Sequence, residues 1–153
     1  MAIGCVVLGA GQSKRMGRAK QLLTYEGHTL LEIALSKYGK IQPLAVVIDP
    51  RMGVENMVRK VQGIPVFNEE PQLGQGTSIR LGVEALLQWE CAQKERLEAI
   101  LCGVIDQPLL DGQVIEELCH AFRDIGDEKA IVQPKYGPNQ ERGNPVVFGR
   151  YWA

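Results

Sequence analysis

Short apolar runs and helical periodicities alternate along the whole chain. Ile3-Gly-Cys-Val-Val-Leu8 is continuous, apolar and rich in β-branched residues, the pattern of a strand buried on both faces. A glycine-rich loop, Gly9 to Gly17, follows it. Thr29 and Glu32 have capping-box spacing and open a helix to about Tyr38, with Gly39 as its stop. Leu44 to Ile48 reads as a second buried strand. Val54, Met57, Val58 and Val61 recur at helical spacing, which predicts a helix over 53–62. Ile64 to Phe67 is a short strand, placed at an edge by Pro65. Thr77 or Ser78 is expected to cap a long helix to about Lys94, with Ile79, Val83, Leu86 and Leu87 on one face. Ala99 to Ile105 is the most apolar strand and is placed centrally. Asp111 caps a further helix, with Val114, Ile115, Leu118, Cys119 and Phe122 on its inner face. Ala130 to Val132 and Val146 to Phe148 are the last strands, separated by a polar loop over 134–144.

This alternation predicts an α/β fold: a three-layer, Rossmann-like, mostly parallel sheet with helices on both faces. The chain has 153 residues, 45% of them hydrophobic, which suits one domain with its own core. Seventeen basic against eighteen acidic residues give a net charge of −1, which argues against bulk nucleic-acid binding. No apolar run approaches the ~20 residues of a membrane helix. The first residues lack the basic region of a signal peptide. The four cysteines form no CxxC pair and no zinc spacing with His28 or His120. Reduced, buried thiols and a cytoplasmic location are therefore expected.

Ligands in such sheets bind beyond the carboxyl ends of the strands, which selects three loops. The first, after Leu8, holds Gly9, Gly11 and Gly17 together with Lys14, Arg15, Arg18 and Lys20. Glycines let the backbone approach a ligand, consecutive N–H groups cradle anions, and four cations in seven residues suit a polyphosphate. The spacing fits neither a dinucleotide fingerprint nor a P-loop; a solvated basic loop is the alternative. The second loop, Asn68 to Ser78, brings Gly74 and Gly76 to a helix start, where free N–H groups suit a phosphate, carboxyl or base edge; an ordinary capped loop is the alternative. In the third, Asp106 follows the most apolar strand. One carboxylate facing phosphates suits Mg²⁺, which takes one or two carboxylates plus phosphate and water oxygens; a turn aspartate is the alternative. Glu141-Arg-Gly-Asn-Pro145 reads by itself as a plain turn.

Together these segments resemble the MobA-like nucleotidyltransferases. Leu8-Gly-Ala-Gly-Gln-Ser-Lys-Arg-Met-Gly17, with Lys20 and Leu22-Leu23, is similar to that family's opening LAAGxSxRMGxxKxLL. Gly74 to Gly82, Asp106-Gln-Pro108 and Arg142-Gly-Asn-Pro-Val-Val-Phe148 follow in the family's order. The resemblance implies a nucleotide-diphospho-sugar transferase fold and Mg²⁺-dependent transfer of CMP from CTP to molybdopterin. It implies Arg15, Lys20 and Asp106 as catalytic residues, with Asp106 on the metal. Leu8, Gly9, Ala10, Gly11, Asn68, Gly76 and Ser78 would join Arg15 and Lys20 on the nucleotide, and Gln107 and Asn144 would touch the acceptor. Ala10 stands where the family's guanylyltransferases carry glycine, so the resemblance favours the cytidylyl branch and a base pocket narrowed toward a pyrimidine. Gly9 replaces the family's usual alanine. Guanylyl transfer from GTP, transfer to a sugar phosphate, and a non-catalytic molybdopterin carrier are the alternatives. A molybdenum hydroxylase of the xanthine dehydrogenase type is the implied recipient. The family's domain continues past the Gly-Asn-Pro-Val strand with a further acidic residue. Residues 1–153 are therefore expected to form a single domain that lacks its C-terminal segment.

Overall fold

A computed structural model describes residues 2–10 and 23–153. In chain order the elements are β1 (Ala2–Leu8), β2 (Thr24–Tyr25), β3 (His28–Thr29), α1 (Leu30–Tyr38), β4 (Leu44–Ile48), α2 (Glu55–Lys60) and β5 (Ile64–Phe67). They continue with α3 (Gln75–Gln93), β6 (Leu97–Val104), α4 (Gly112–Ile125), β7 (Ile131–Val132), β8 (Lys135–Tyr136), β9 (Glu141–Arg142) and β10 (Val146–Gly149).

Six strands form one sheet in the order β5-β4-β1-β6-β10-β7. The first four run parallel, and β10 joins β6 antiparallel. The expected central place of the Ala99 strand is realised, since β6 lies between β1 and β10. Strand β5, carrying Pro65, is at an edge, where a missing N–H costs no ladder bond on the open side.

Helices cover both faces, as the alternation predicts. Cys5, Val7, Leu44, Val46 and Leu101 point to a large cluster with α1, α2 and α4. Val6, Ala45, Val47, Ile100 and Cys102 point the other way, to a smaller cluster with α3. The change of face at each residue is the period-2 geometry of a strand, and burial on both sides explains the unbroken apolar runs. Helix α3 lies close to the sheet because Gly82 faces Val6, where a Cβ would meet Val6 Cγ1 at 2.5 Å.

Helix α1 begins as its sequence directs. Thr29 Oγ1 accepts from the Glu32 N–H at 3.1 Å, and Glu32 returns a bond to the Thr29 N–H. Asp111 caps α4 by accepting from the Gln113 N–H at 2.9 Å. One expectation needs correction. Helix α3 starts at Gln75, two residues before Thr77, with Gly74 as its N-cap; the φ of +97° at Gly74 is open to glycine and strained for other residues. Thr77 and Ser78 are thus inside the first turn. The helix predicted over 53–62 is present with shorter bounds, as α2 over Glu55–Lys60, and a 3-10 turn at Pro50–Met52 precedes it. Among the described residues, no helix is long and apolar enough to cross a membrane.

Candidate functional site

The parallel strands finish in register. Leu8 pairs with Val47 on one side and Val104 on the other, and Ile48 pairs with Phe67. The residues that follow, Gly9, Asp49, Asn68 and Asp106, therefore leave one rim of the sheet. Three of them were singled out from sequence, and topology brings them together.

On the β1, β4 and β5 side the rim is buried and cross-linked. Gly9 N–H donates to the Val47 carbonyl at 2.7 Å, extending the ladder one residue beyond β1. A Cβ on Gly9 would meet that carbonyl at 3.2 Å, so glycine allows a close exit that a side chain would reach only with a slight adjustment. Ala10 is buried in the α3-side cluster beside Leu8 and Val6. Its methyl is thus committed to core packing. Asn68, only 2% exposed, bonds in three directions. Its N–H donates to Ile48 O at 2.8 Å, its Oδ1 accepts from the Glu70 N–H at 2.9 Å, and its Nδ2 donates to Ser78 Oγ at 2.9 Å. The last bond ties the turn after β5 to the first turn of α3. Gly76 is exposed in that turn with open space around it. A first turn carries N–H groups without helical partners, favourable toward an anion. Asp49, at the end of β4, is paired with Arg51 at 2.8 Å, and that guanidinium holds its carboxyl below the usual range.

On the β6 and β10 side the rim is open. Asp106 is exposed, two residues past Val104. The turn that carries it is held from outside. Lys37, in the last turn of α1, donates to the Pro108 carbonyl at 2.7 Å. Burial lowers the Lys37 pKa, opposed by the charge of Asp111. Gln107 Nε2 donates to the Asn144 carbonyl at 3.2 Å, and the Tyr136 hydroxyl donates to the same oxygen at 2.7 Å. Gln107 and Asn144, predicted as neighbours of the acceptor, are thus joined, although Asn144 contributes its backbone and its side chain is exposed. Arg142 lies in the exposed β9.

Gly11, Arg15 and Lys20, with the rest of the basic loop, fall outside the described residues. Sequence reasoning missed Lys37 and Tyr136. Nothing in the helical pattern distinguishes Lys37 from a solvated lysine. Tyr136 had a readable signal, since Gly137-Pro138-Asn139 is a turn sequence that closes the β8–β9 hairpin.

Cys5, Cys102 and Cys119 are buried and Cys91 is exposed. All four are free. Burial raises the pKa of Cys5 and Cys119 and pushes Cys102 up to about 11, so these thiols stay protonated at neutral pH. Among the described residues, no group of three or more His, Cys, Asp or Glu side chains converges for a metal.

The family model described as MobA-like NTP transferase domain matches residues 5–153. A molybdenum cofactor guanylyltransferase of Rhodobacter capsulatus is 29% identical over 121 residues, 79% of this chain and 60% of that protein. The bifunctional protein GlmU of Synechococcus sp. (strain CC9605) is 28% identical over 156 residues, 99% of this chain but 32% of its own length. The chain therefore spans less than two thirds of each of these curated relatives, and about a third of the second. The crystal structure of Rv0371c from Mycobacterium tuberculosis H37Rv superposes with a TM-score of 0.72 at 24% identity, covering 98% of this chain and 72% of that one. The same protein in complex with manganese gives 0.70 at 22% identity, covering 99% and 72%. Molybdopterin-guanine dinucleotide biosynthesis protein A from Archaeoglobus fulgidus gives 0.67 at 18% identity, covering 96% and 67%. These structures share the fold.

Proposed function

Because the chain belongs to the MobA-like NTP transferase domain family, we propose that it transfers a nucleotidyl group from a nucleoside triphosphate, CTP, to the terminal phosphate of molybdopterin, releasing pyrophosphate. The observation that carries this reading is the single rim on which Gly9, Asn68, Ser78 and Asp106 gather beyond four parallel strands in register.

The closed side of the rim is the nucleotide's. Backbone N–H groups of the α3 first turn would meet the anionic groups of the nucleotide there, and the Asn68–Ser78 bond fixes the turn in advance. Arg15 and Lys20 neutralise the triphosphate. The open side is the acceptor's. An acceptor phosphate oxygen attacks the α-phosphorus in line and forms the new P–O bond. The α–β bridging P–O bond breaks, and its electrons leave with pyrophosphate. A phosphate nucleophile is already ionised near neutral pH, so no general base is required. Catalysis then rests on positioning and charge.

The residues suit a divalent cation of the Mg²⁺ class. Asp106 is one exposed carboxylate at the rim, and such ions accept one or two carboxylates and complete their shell from phosphates and water. Bound there, the ion would neutralise charge on the phosphates. The manganese complex of the similar M. tuberculosis protein is in keeping with that.

Ala10 in the opening motif supports CTP. Guanylyl transfer is the second reading, favoured by the R. capsulatus relative and by the burial of the Ala10 methyl away from solvent. Pyrophosphate release with molybdopterin and either CTP or GTP tests both. Faster release with CTP supports the first reading, and faster release with GTP replaces it with the second. No release with either nucleotide contradicts transfer.

A further inference from the structure

Two consecutive residues in the last turn of α1 reach the open side of the rim. Lys37 holds the Pro108 carbonyl, two residues after Asp106. Tyr38 lies against β6, three residues before Asp106. A Cβ at Gly103 would overlap Cζ and Oη of Tyr38, so glycine there lets the ring and its hydroxyl rest on the strand backbone. The end of α1 thus grips the chain on both sides of Asp106.

Tyr38 is 1% exposed, and its hydroxyl has no hydrogen-bond partner. Burial raises its pKa, and nearby Tyr136 adds to the rise, so the group is an O–H donor at neutral pH. In the turn itself, Gln107 Oε1 is an acceptor sealed from solvent and equally without a partner. Among the described residues, the remaining buried side-chain atom of this kind is Glu55 Oε2, on α2. The other two, one donor and one acceptor, share a neighbourhood. Gln107 Nε2 and the Tyr136 hydroxyl both donate to the Asn144 carbonyl. Asn144 is two residues before Val146, which pairs with Cys102, the neighbour of Gly103. Each unmatched buried group is unfavourable, and because both are sealed, each is best satisfied from within the protein.

We propose that Tyr38 is a positioning residue for Asp106: when nucleotide and ion bind, the turn over 106–108 draws inward and the Tyr38 hydroxyl donates to Gln107 Oε1. One new bond then satisfies both unmatched groups. Drawing the turn inward also takes the Asp106 carboxylate from water, a cost that a bound cation offsets. The inward arrangement is therefore favoured with ligands and the outward one without them, as a two-state element requires. Lys37 holds the far end of the turn while it moves. The role of the inward turn in catalysis rests on the nucleotidyl-transfer reading; the movement itself is a property of these side chains.

Tyr38→Phe tests this, since it keeps the ring on Gly103 and removes the hydroxyl alone. Without ligands its urea midpoint should equal or exceed that of wild type, because an unmatched buried group is lost. Pyrophosphate release at saturating molybdopterin and CTP with Mg²⁺ should fall about fivefold, while KM for CTP stays within about twofold. Amide hydrogen exchange over 104–110 should slow in wild type when Mg²⁺ and CTP are added, and slow less in Tyr38→Phe. In a Gln107→Met background, adding Tyr38→Phe should change the rate by less than about twofold. A lower urea midpoint for Tyr38→Phe overturns the proposal, because the hydroxyl is then already partnered. So does exchange that Mg²⁺ and CTP leave unchanged in wild type. Equal rates and equal exchange in wild type and Tyr38→Phe overturn it and leave transfer standing. A ligand-induced slowing that Tyr38→Phe reduces, without pyrophosphate release by either protein, contradicts transfer and supports the moving turn.

Discussion

The two sides of the rim are built differently. On the β1, β4 and β5 side, Asn68 is buried and makes three hydrogen bonds, one of them to buried Ser78. On the β6 and β10 side, Asp106 is exposed, and its turn is held by bonds to backbone carbonyls from Lys37, Gln107 and Tyr136. The first arrangement is fixed by the core, and losing a member should be felt as instability. The second stands at the surface, and losing a member should be felt as lost reaction with the fold intact. A transferase of this kind needs both: a nucleotide seat set before binding, and an open side where a second substrate and an ion can enter.

Substitution at Asp106 gives the largest expected effect. Removing one positioned charge contact typically costs about 2.7–4 kcal/mol, or roughly 10²–10³ in rate. Asp106→Ala should lose pyrophosphate release by at least that much, with an unchanged urea midpoint. Near-normal release would end the assignment of Asp106 to the ion. Lys20→Ala should lose a similar factor with the fold intact; unfolding would instead make Lys20 structural.

Asn68→Ala is the counterpart on the closed side. It strips the partner from the Glu70 N–H, which water can replace, and from buried Ser78 Oγ, and an unmet buried group costs about 1–3 kcal/mol. Urea denaturation should shift clearly before any change in maximal rate at saturating nucleotide. Equal stability with a large rate loss would erase the distinction between the two sides.

Lys37→Met keeps the aliphatic stem and removes the bond to the Pro108 carbonyl. A net hydrogen-bond contribution near 1 kcal/mol implies about a fivefold loss of rate. Lys37→Arg should recover part of it, and CTP affinity without metal should not change. A drop in stability with no change in rate would make Lys37 a packing residue.

The smallest effect is in acid. Asp49 has a carboxyl pKa below its ordinary value because of Arg51. A depressed carboxylate contributes stability above its unfolded pKa, near 3.9, and that contribution is lost as pH falls through the lower folded value. Between pH 5 and 7 stability should be flat on this account, with the loss starting below about pH 4. Asp49→Asn should show a shallower acid limb, followed by circular dichroism.

The parallel core was legible because period-2 and helical patterns are long-range signals that β1, β4, β6 and α4 carry without interruption. The capping box at Thr29 and the cap at Asp111 were legible because capping depends on residues within one turn. The α3 start was misread because Thr77 and Ser78 are good caps by type, while the entry needed the positive φ of Gly74. The hairpins β2–β3 and β8–β9 were missed because two-residue strands carry no period. At the site, Asn68 and Ser78, singled out from a motif, are hydrogen-bonded to each other. The tethers were not found: Lys37 acts on a carbonyl 71 residues away and leaves no local pattern, while Tyr136 was signalled only by the turn sequence beside it.

The most direct test of the two-sided rim is calorimetric titration of CTP into wild type and Asp106→Ala, each with and without Mg²⁺. A rim divided in this way gives metal-free CTP affinities within about twofold of each other, and an increase on adding Mg²⁺ in wild type alone. Loss of metal-free CTP binding in Asp106→Ala, or an equal response of both proteins to Mg²⁺, would contradict it.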